Sequence, residues 1–190
     1  MKALRRFRLP ASGRAGEAGF TLVELLIAVA LLGIGTAYVT SVFLQGYRNW
    51  KRNFDDLLLQ RAARLAMGRI TQVLREASPG SVVVSTPAGM PRYSQIAFTD
   101  GRSRGWVFTQ VQKGVEQGRN VYAIKSLRSP PGGASTTDFM AEYVETLSFV
   151  YPSLQDTGMI DVGISMKKTP YAQAMPIFIQ LVERVMIRNP

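Results

Sequence analysis

The chain has 190 residues, with 23 Lys and Arg against 13 Asp and Glu, for a net charge of +10. It contains no cysteine and no histidine. That excludes disulfides and thiol chemistry, and it removes the commonest general base, the Ser-His-Asp relay and the commonest metal ligand.

Residues 1–19 read as a basic leader, in which Lys2, Arg5, Arg6, Arg8 and Arg14 stand against Glu17. Five basic residues minus one acidic give +4, so the remainder of the chain carries about +6 of the +10. From Phe20 to Leu44 the chain is apolar, and Glu24 is the only charge. As a helix this run would span about 37 Å, enough for a hydrocarbon core of roughly 30 Å. A lone carboxylate near the start of such a span costs about 2.5–3.5 kcal/mol on the insertion scale, so Glu24 calls for a partner. Two ordinary readings compete. A positive n-region followed by Ala28-Val29-Ala30 fits a secretory signal with its cleavage site, but Glu24 would then lie inside the h-region and the apolar run continues past Ala30. A plain uncleaved anchor explains the span and leaves the string Gly19-Phe20-Thr21-Leu22-Val23-Glu24 unexplained. Five leader basics against Arg48, Lys51 and Arg52 place the leader in the cytoplasm and the main domain outside the inner membrane.

That string closely resembles the processing site of type IV pilins and of the pseudopilins of type II secretion. The resemblance implies that prepilin peptidase cuts between Gly19 and Phe20 and that Phe20 becomes the N-methylated first residue. It implies that Glu24 meets the methylated amine of a neighbouring subunit and sets axial register during assembly. The implied partners are other pilin or pseudopilin subunits, membrane lipid and an inner-membrane assembly platform driven by a cytoplasmic ATPase. In relatives a Gly and a Pro bracket a segment that loses helicity in the filament. Gly33 matches the first position, with Gly35 beside it, whereas Ser41 stands where the Pro usually is.

Beyond the span the helical pattern continues to about Ala77, which would make a helix from Phe20 of about 87 Å. Tyr47, Trp50, Phe54, Leu58, Ala62, Leu65, Ile70, Val73 and Ala77 recur mostly at three- or four-residue steps and predict one apolar stripe for packing on a sheet. Ser78-Pro79-Gly80 stops the pattern. The period then changes to that of strands: 81–85, 95–98, 106–111, 121–124, 144–151, 160–166 and 177–187. Ile160, Val162, Ile164 and Met166 alternate with Asp161, Gly163 and Ser165, as a half-buried strand does. Thr99-Asp100-Gly101-Arg102 signals a turn, and 129–135 reads as a loop. The expected fold class is α+β, a long N-terminal helical spine on a C-terminal antiparallel sheet. The divisions are 1–19 leader, 20–44 membrane or filament-core helix, 45–78 amphipathic helix and 79–190 sheet domain. The helix segments Ala63-Arg64-Leu65-Ala66-Met67 and Leu74-Arg75-Glu76-Ala77, with 147–152, 160–166 and 185–189, are similar to PilW-type minor pilins and the J-type minor pseudopilin, which implies a minor subunit.

Candidate chemistry is sparse. Ser165-Met166-Lys167-Lys168 fits a serine-lysine pattern, but it ends a strand and has no partner motif. Gly33-Ile34-Gly35 lies inside an apolar span, so a nucleotide reading fails on context. No carboxylate cluster has metal-loop spacing. The expectation is therefore no enzyme, no cofactor and no metal. Charge is uneven: Arg92, Arg102, Arg104, Lys113, Arg119, Lys125 and Arg128 stand against Asp100 and Glu116, while five acids and no basic residue occupy 138–161. A solvated surface and an anionic-partner patch both fit. The basic stretch also holds Tyr93, Trp106, Phe108 and Tyr122. A second reading is thus a minor pilin at a filament tip that binds DNA or a surface. A third is a membrane-anchored envelope domain. The type of filament is left open.

Overall fold

The computed structural model describes residues 19–116, 118–152, 158–171 and 174–187. The basic leader up to 18 and the closing Arg188-Asn189 lie outside the described residues. Helix α1 spans Leu22–Leu74, and the chain divides at Tyr47 into two compact units.

In the first unit α1 is apolar on all sides, and its most hydrophobic stretch has a mean hydropathy of 2.2 with no residue buried. Length and composition suit a membrane span. Hydroxyl groups inside this stretch bond back to the helix: Thr36 donates to the Leu32 carbonyl at 2.7 Å, Thr40 to Thr36 at 2.8 Å and Ser41 to Tyr38 at 2.8 Å. An apolar medium offers no water to these groups, so the backbone serves as their acceptor.

In the second unit α1 packs on two antiparallel sheets. The first is a five-stranded meander of β1 (Val83–Ser85), β2 (Gln95–Thr99), β3 (Gly105–Glu116), β4 (Arg119–Ser129) and β5 (Thr136–Glu142), in that spatial order. The second has β6 (Val144–Val150), β7 (Met159–Lys168) and β8 (Ile177–Met186). Ile70 and Leu74 of α1 share one core with Ile96, Phe108 and Ile124 of the first sheet and Leu147, Phe149, Ile160 and Ile164 of the second. Burying each such side chain contributes about 1.5–3 kcal/mol. Buried Gln110 on β3 ties the sheets together. Its amide nitrogen donates to the Glu145 carbonyl at 3.2 Å, and its carbonyl oxygen accepts from the Leu147 N–H at 3.0 Å.

The α+β class holds, and the single sheet expected from the strand pattern is divided into two. Tyr143, between β5 and β6, makes the switch with a left-handed φ of 61°. Its carbonyl accepts from the Lys167 N–H at 2.8 Å. Helix α1 ends at Leu74, short of Ala77, which instead forms a bridge to Asp100. The stretch expected as a strand from 81 begins as a 3-10 turn, Pro79–Ser81.

The predicted stripe has the wrong phase along 47–65. Tyr47, Trp50, Phe54, Leu58 and Leu65 are exposed, and the buried line runs through Asp55, Leu59, Ala63, Ala66, Met67, Ile70 and Leu74. Large apolar residues on the opposite face outweighed the alanines that let the helix lie close to the strands.

Strand β5 was missed. It is mostly exposed and lacks the apolar–polar alternation of a half-buried strand, and its conformation comes from pairing with β4. The same holds for β3 beyond Val111 and for Arg119 and Asn120 of β4, where Val115 pairs with Asn120 and Glu116 with Arg119.

Candidate functional site

Gly19, Phe20 and Thr21 precede the first turn of α1 in an exposed, non-helical segment. Among the described residues, and apart from its chain neighbours, nothing lies within 4 Å of where a Gly19 side chain would begin. The Glu24 N–H donates to Thr21 Oγ1 at 3.2 Å, and the Leu25 N–H bonds to the Thr21 carbonyl at 3.1 Å. Thr21 is thus the N-cap and Glu24 the third helical residue, the spacing of a capping box. The spacing Thr21-x-x-Glu24 carries this local role in the sequence itself. Glu24 sits in the first turn, where the helix dipole favours a negative charge. Among the described residues no cation lies within ion-pair distance of its carboxylate. Gly33 and Gly35 lie inside continuous helix. Gly33, Thr36, Ala37, Thr40 and Ser41 line one shallow face of it, with the small-residue spacing that lets membrane helices approach closely.

The seven basic residues of 92–128 do not form one patch. Arg102, Arg104 and Arg128 converge with Arg69 of α1 around Trp106. Lys113 is paired with Glu142 and lies over the Phe139 ring. Arg119 donates to Thr169 Oγ1 at 3.2 Å. Lys125 pairs across strands with Thr109 and Phe139, on the strand face opposite the buried Ile124 and Ser126. Arg92 is exposed on the segment before β2.

Of the aromatic residues in that stretch, Trp106 and Phe108 are core and stack with centroids 6.1 Å apart. Asp100 sits beneath Trp106 at the β2–β3 turn. It accepts from the Trp106 indole N–H at 3.0 Å, from Arg104 Nε at 2.6 Å and from the backbone N–H groups of Arg102 and Arg104 at 2.9 and 3.0 Å. Burial works to raise the Asp100 pKa, but these donors together hold it below the usual carboxylate value.

The serine-lysine pair resolves into structure. Ser165 Oγ contacts Thr146 Oγ1 at 2.5 Å, while Lys168 Nζ donates to buried Asp55 at 2.9 Å and lies 4.7 Å from the centre of the Tyr143 ring. A cleft of about 440 Å³ between the ends of β4 and β7 is lined by Glu116, Arg119, Tyr143, Glu145, Lys167 and Lys168. Its charges are mostly taken up internally: Lys167 pairs with Glu145, and the Tyr143 hydroxyl donates to Glu116 at 2.8 Å. Burial, then the bond to Glu116, pushes the Tyr143 phenol up to about 12.

A family model described as the prokaryotic N-terminal methylation motif matches residues 14–40. Comparison with curated proteins and with solved structures finds no match. The matched segment contains Gly19, Phe20, Glu24 and Gly33. This chain therefore carries the N-terminal signal of the type IV pilins and pseudopilins, on a long apolar helix joined to antiparallel sheets.

Proposed function

We propose that the chain is a minor structural subunit of a type IV pilus or type II secretion pseudopilus. One observation carries the reading: the methylation motif coincides with the start of an apolar helix whose sole charge before Leu44, Glu24, has no cation among the described residues. In this reading prepilin peptidase removes 1–19, residues 20–44 hold the subunit in the inner membrane, and the domain beyond lies in the periplasm. An assembly platform then draws the helix into a filament, where Glu24 meets the methylated Phe20 amine of a neighbour.

Two features of α1 support assembly through the helix. One is the small-residue face of Gly33, Thr36, Ala37, Thr40 and Ser41. The other lies in the second unit, where Trp50, Phe54, Leu57, Leu58 and Leu65 form an exposed apolar line at helical spacing, on the side opposite the sheets. The J-type or PilW-type minor role rests on the sequence resemblance.

The test is intact-mass analysis of the chain recovered from cells that carry the peptidase, compared with cells that lack it. A chain beginning at Phe20 with one added methyl group is expected. A chain beginning at Leu31, or one whose start is indifferent to the peptidase, overturns the reading.

A further inference from the structure

The geometry points to a binding site for a small phosphate-bearing ligand in the arginine pocket over Trp106. The pocket encloses about 220 Å³. It is built by three separated parts of the second unit: Arg69 and Gln72 on α1 with Glu76 just past its end, Arg102 and Arg104 on the β2–β3 turn, and Trp106 and Arg128 on β3 and β4. The guanidinium carbons of Arg128, Arg69 and Arg104 lie 5.6, 5.7 and 6.0 Å from the centre of the one indole ring. Each is held by the ring's electron-rich face, but three like charges drawn to one ring repel one another. An anion seated among them relieves that repulsion.

The carboxylates nearby do not fill this role. Asp100 is spent on Arg104, Trp106 and two backbone N–H groups, and Glu76 reaches only Arg104, at 3.6 Å. Among the described residues, Arg69, Arg102 and Arg128 have no carboxylate within ion-pair distance. Four guanidinium groups against two carboxylates leave the site with two positive charges to spare. Forked guanidinium donors from different directions match the oxygens of a phosphoryl group.

A discrete phosphate fits better than a nucleic-acid strand. Trp106 is 6% exposed, so no base can stack on it. Lys113, Arg119 and Lys125 lie apart from the pocket, so no continuous basic track leads to it. The site does not rest on the assembly reading.

The experiment uses the full chain in neutral detergent micelles, with Trp50→Phe so that Trp106 is the remaining one of the chain's two tryptophans. Inorganic phosphate is titrated against chloride at constant ionic strength, following indole fluorescence and unfolding temperature. A saturable change with phosphate and a raised unfolding temperature are expected. Arg69→Gln and Arg128→Gln should each weaken binding by about tenfold or more. Arg69→Lys should fall between, since it keeps the charge and loses the fork. Lys125→Gln should titrate like the parent. Should Arg69→Gln fail to fold, Arg102→Gln on the exposed turn makes the same test. Equal responses to phosphate and chloride, or unchanged binding in the arginine variants, overturn the proposal. So does an oligothymidylate that binds the parent and Arg69→Gln alike while inorganic phosphate does not saturate.

Discussion

Asp100 shows how one side chain can settle several local structures at once. It closes the β2–β3 turn through two backbone N–H groups, fixes Arg104, and caps the buried indole of Trp106. Removing it leaves the indole N–H without an acceptor and a mostly buried guanidinium with only the more distant Glu76, at 3.6 Å. Asp100→Ala should therefore destabilise the second unit by about 3 kcal/mol, read from denaturant midpoints of protein beginning at residue 45. Asp100→Asn should be nearly as costly, because its amide turns one acceptor into a donor facing donors. The sign of the pH effect follows from the lowered pKa. A carboxylate whose folded pKa lies below its unfolded value confers stability that is full above the unfolded value and is lost as pH falls through the folded one. The parent should thus lose stability on acidification below about pH 4, and Asp100→Asn should lose less over the same range. An Asp100→Ala midpoint equal to that of the parent would falsify this role.

At the scale of the element, α1 presents two apolar faces with different jobs. Ala63 and Ala66 are 0% and 1% exposed against the strands, whereas Leu65, between them, is 63% exposed. Ala66→Leu forces extra volume into the contact and should cost about 1–3 kcal/mol. Leu65→Ala should change stability by less than about 0.5 kcal/mol and yet lower recovery of the subunit in sheared filaments. Equal stability losses in the two variants would show that the faces are not distinct.

The same two faces explain what the sequence could and could not convey. Alternation marked β2 and β7 well, because each is buried on one face and its neighbours in the chain are polar or small. The short string at Gly19 was legible because its signal is local: a glycine, a cap and a charge within six residues. The phase of the helix stripe was not, because hydrophobicity does not say which of two apolar faces meets a sheet. Strand β5 and the outer ends of β3 and β4 owe their shape to a neighbour's hydrogen bonds rather than to burial. The arginine pocket draws Arg69 and Arg128 together from positions 59 residues apart, a pairing that no local pattern encodes. Gln110 and Asp55 were missed because buried polar residues that find their partners elsewhere in the chain look like surface residues in one dimension.

For the whole molecule, the two units divide the physical tasks. The second has its own core, which joins the latter part of α1 to both sheets. The first shows none among its described residues: the apolar stretch of α1 is wholly exposed, and Glu24, the only charge from Phe20 to Leu44, is unmatched among the described residues. In the assembly proposed above, both deficits are removed by an apolar surrounding and by the free amine at the start of a neighbouring helix. Glu24→Val should therefore leave processing and membrane insertion intact, since it removes a charge that costs about 2.5–3.5 kcal/mol to insert. What it should abolish or disorder is incorporation into filaments. In a dry interior the neighbour's amine would then be buried unpaired, a penalty of about 3–5 kcal/mol. Glu24→Asp should be milder, because the charge stays but sits one methylene short. The measurement is the ratio of labelled subunit in sheared filaments to that in the inner membrane. Normal recovery of Glu24→Val in a subunit found along the filament shaft refutes the docking role. Recovery confined to the filament tip has a different meaning, because a subunit at the tip has fewer neighbours to meet and can do without the pair. That result would place this chain at the tip and support the minor-subunit reading over a major one.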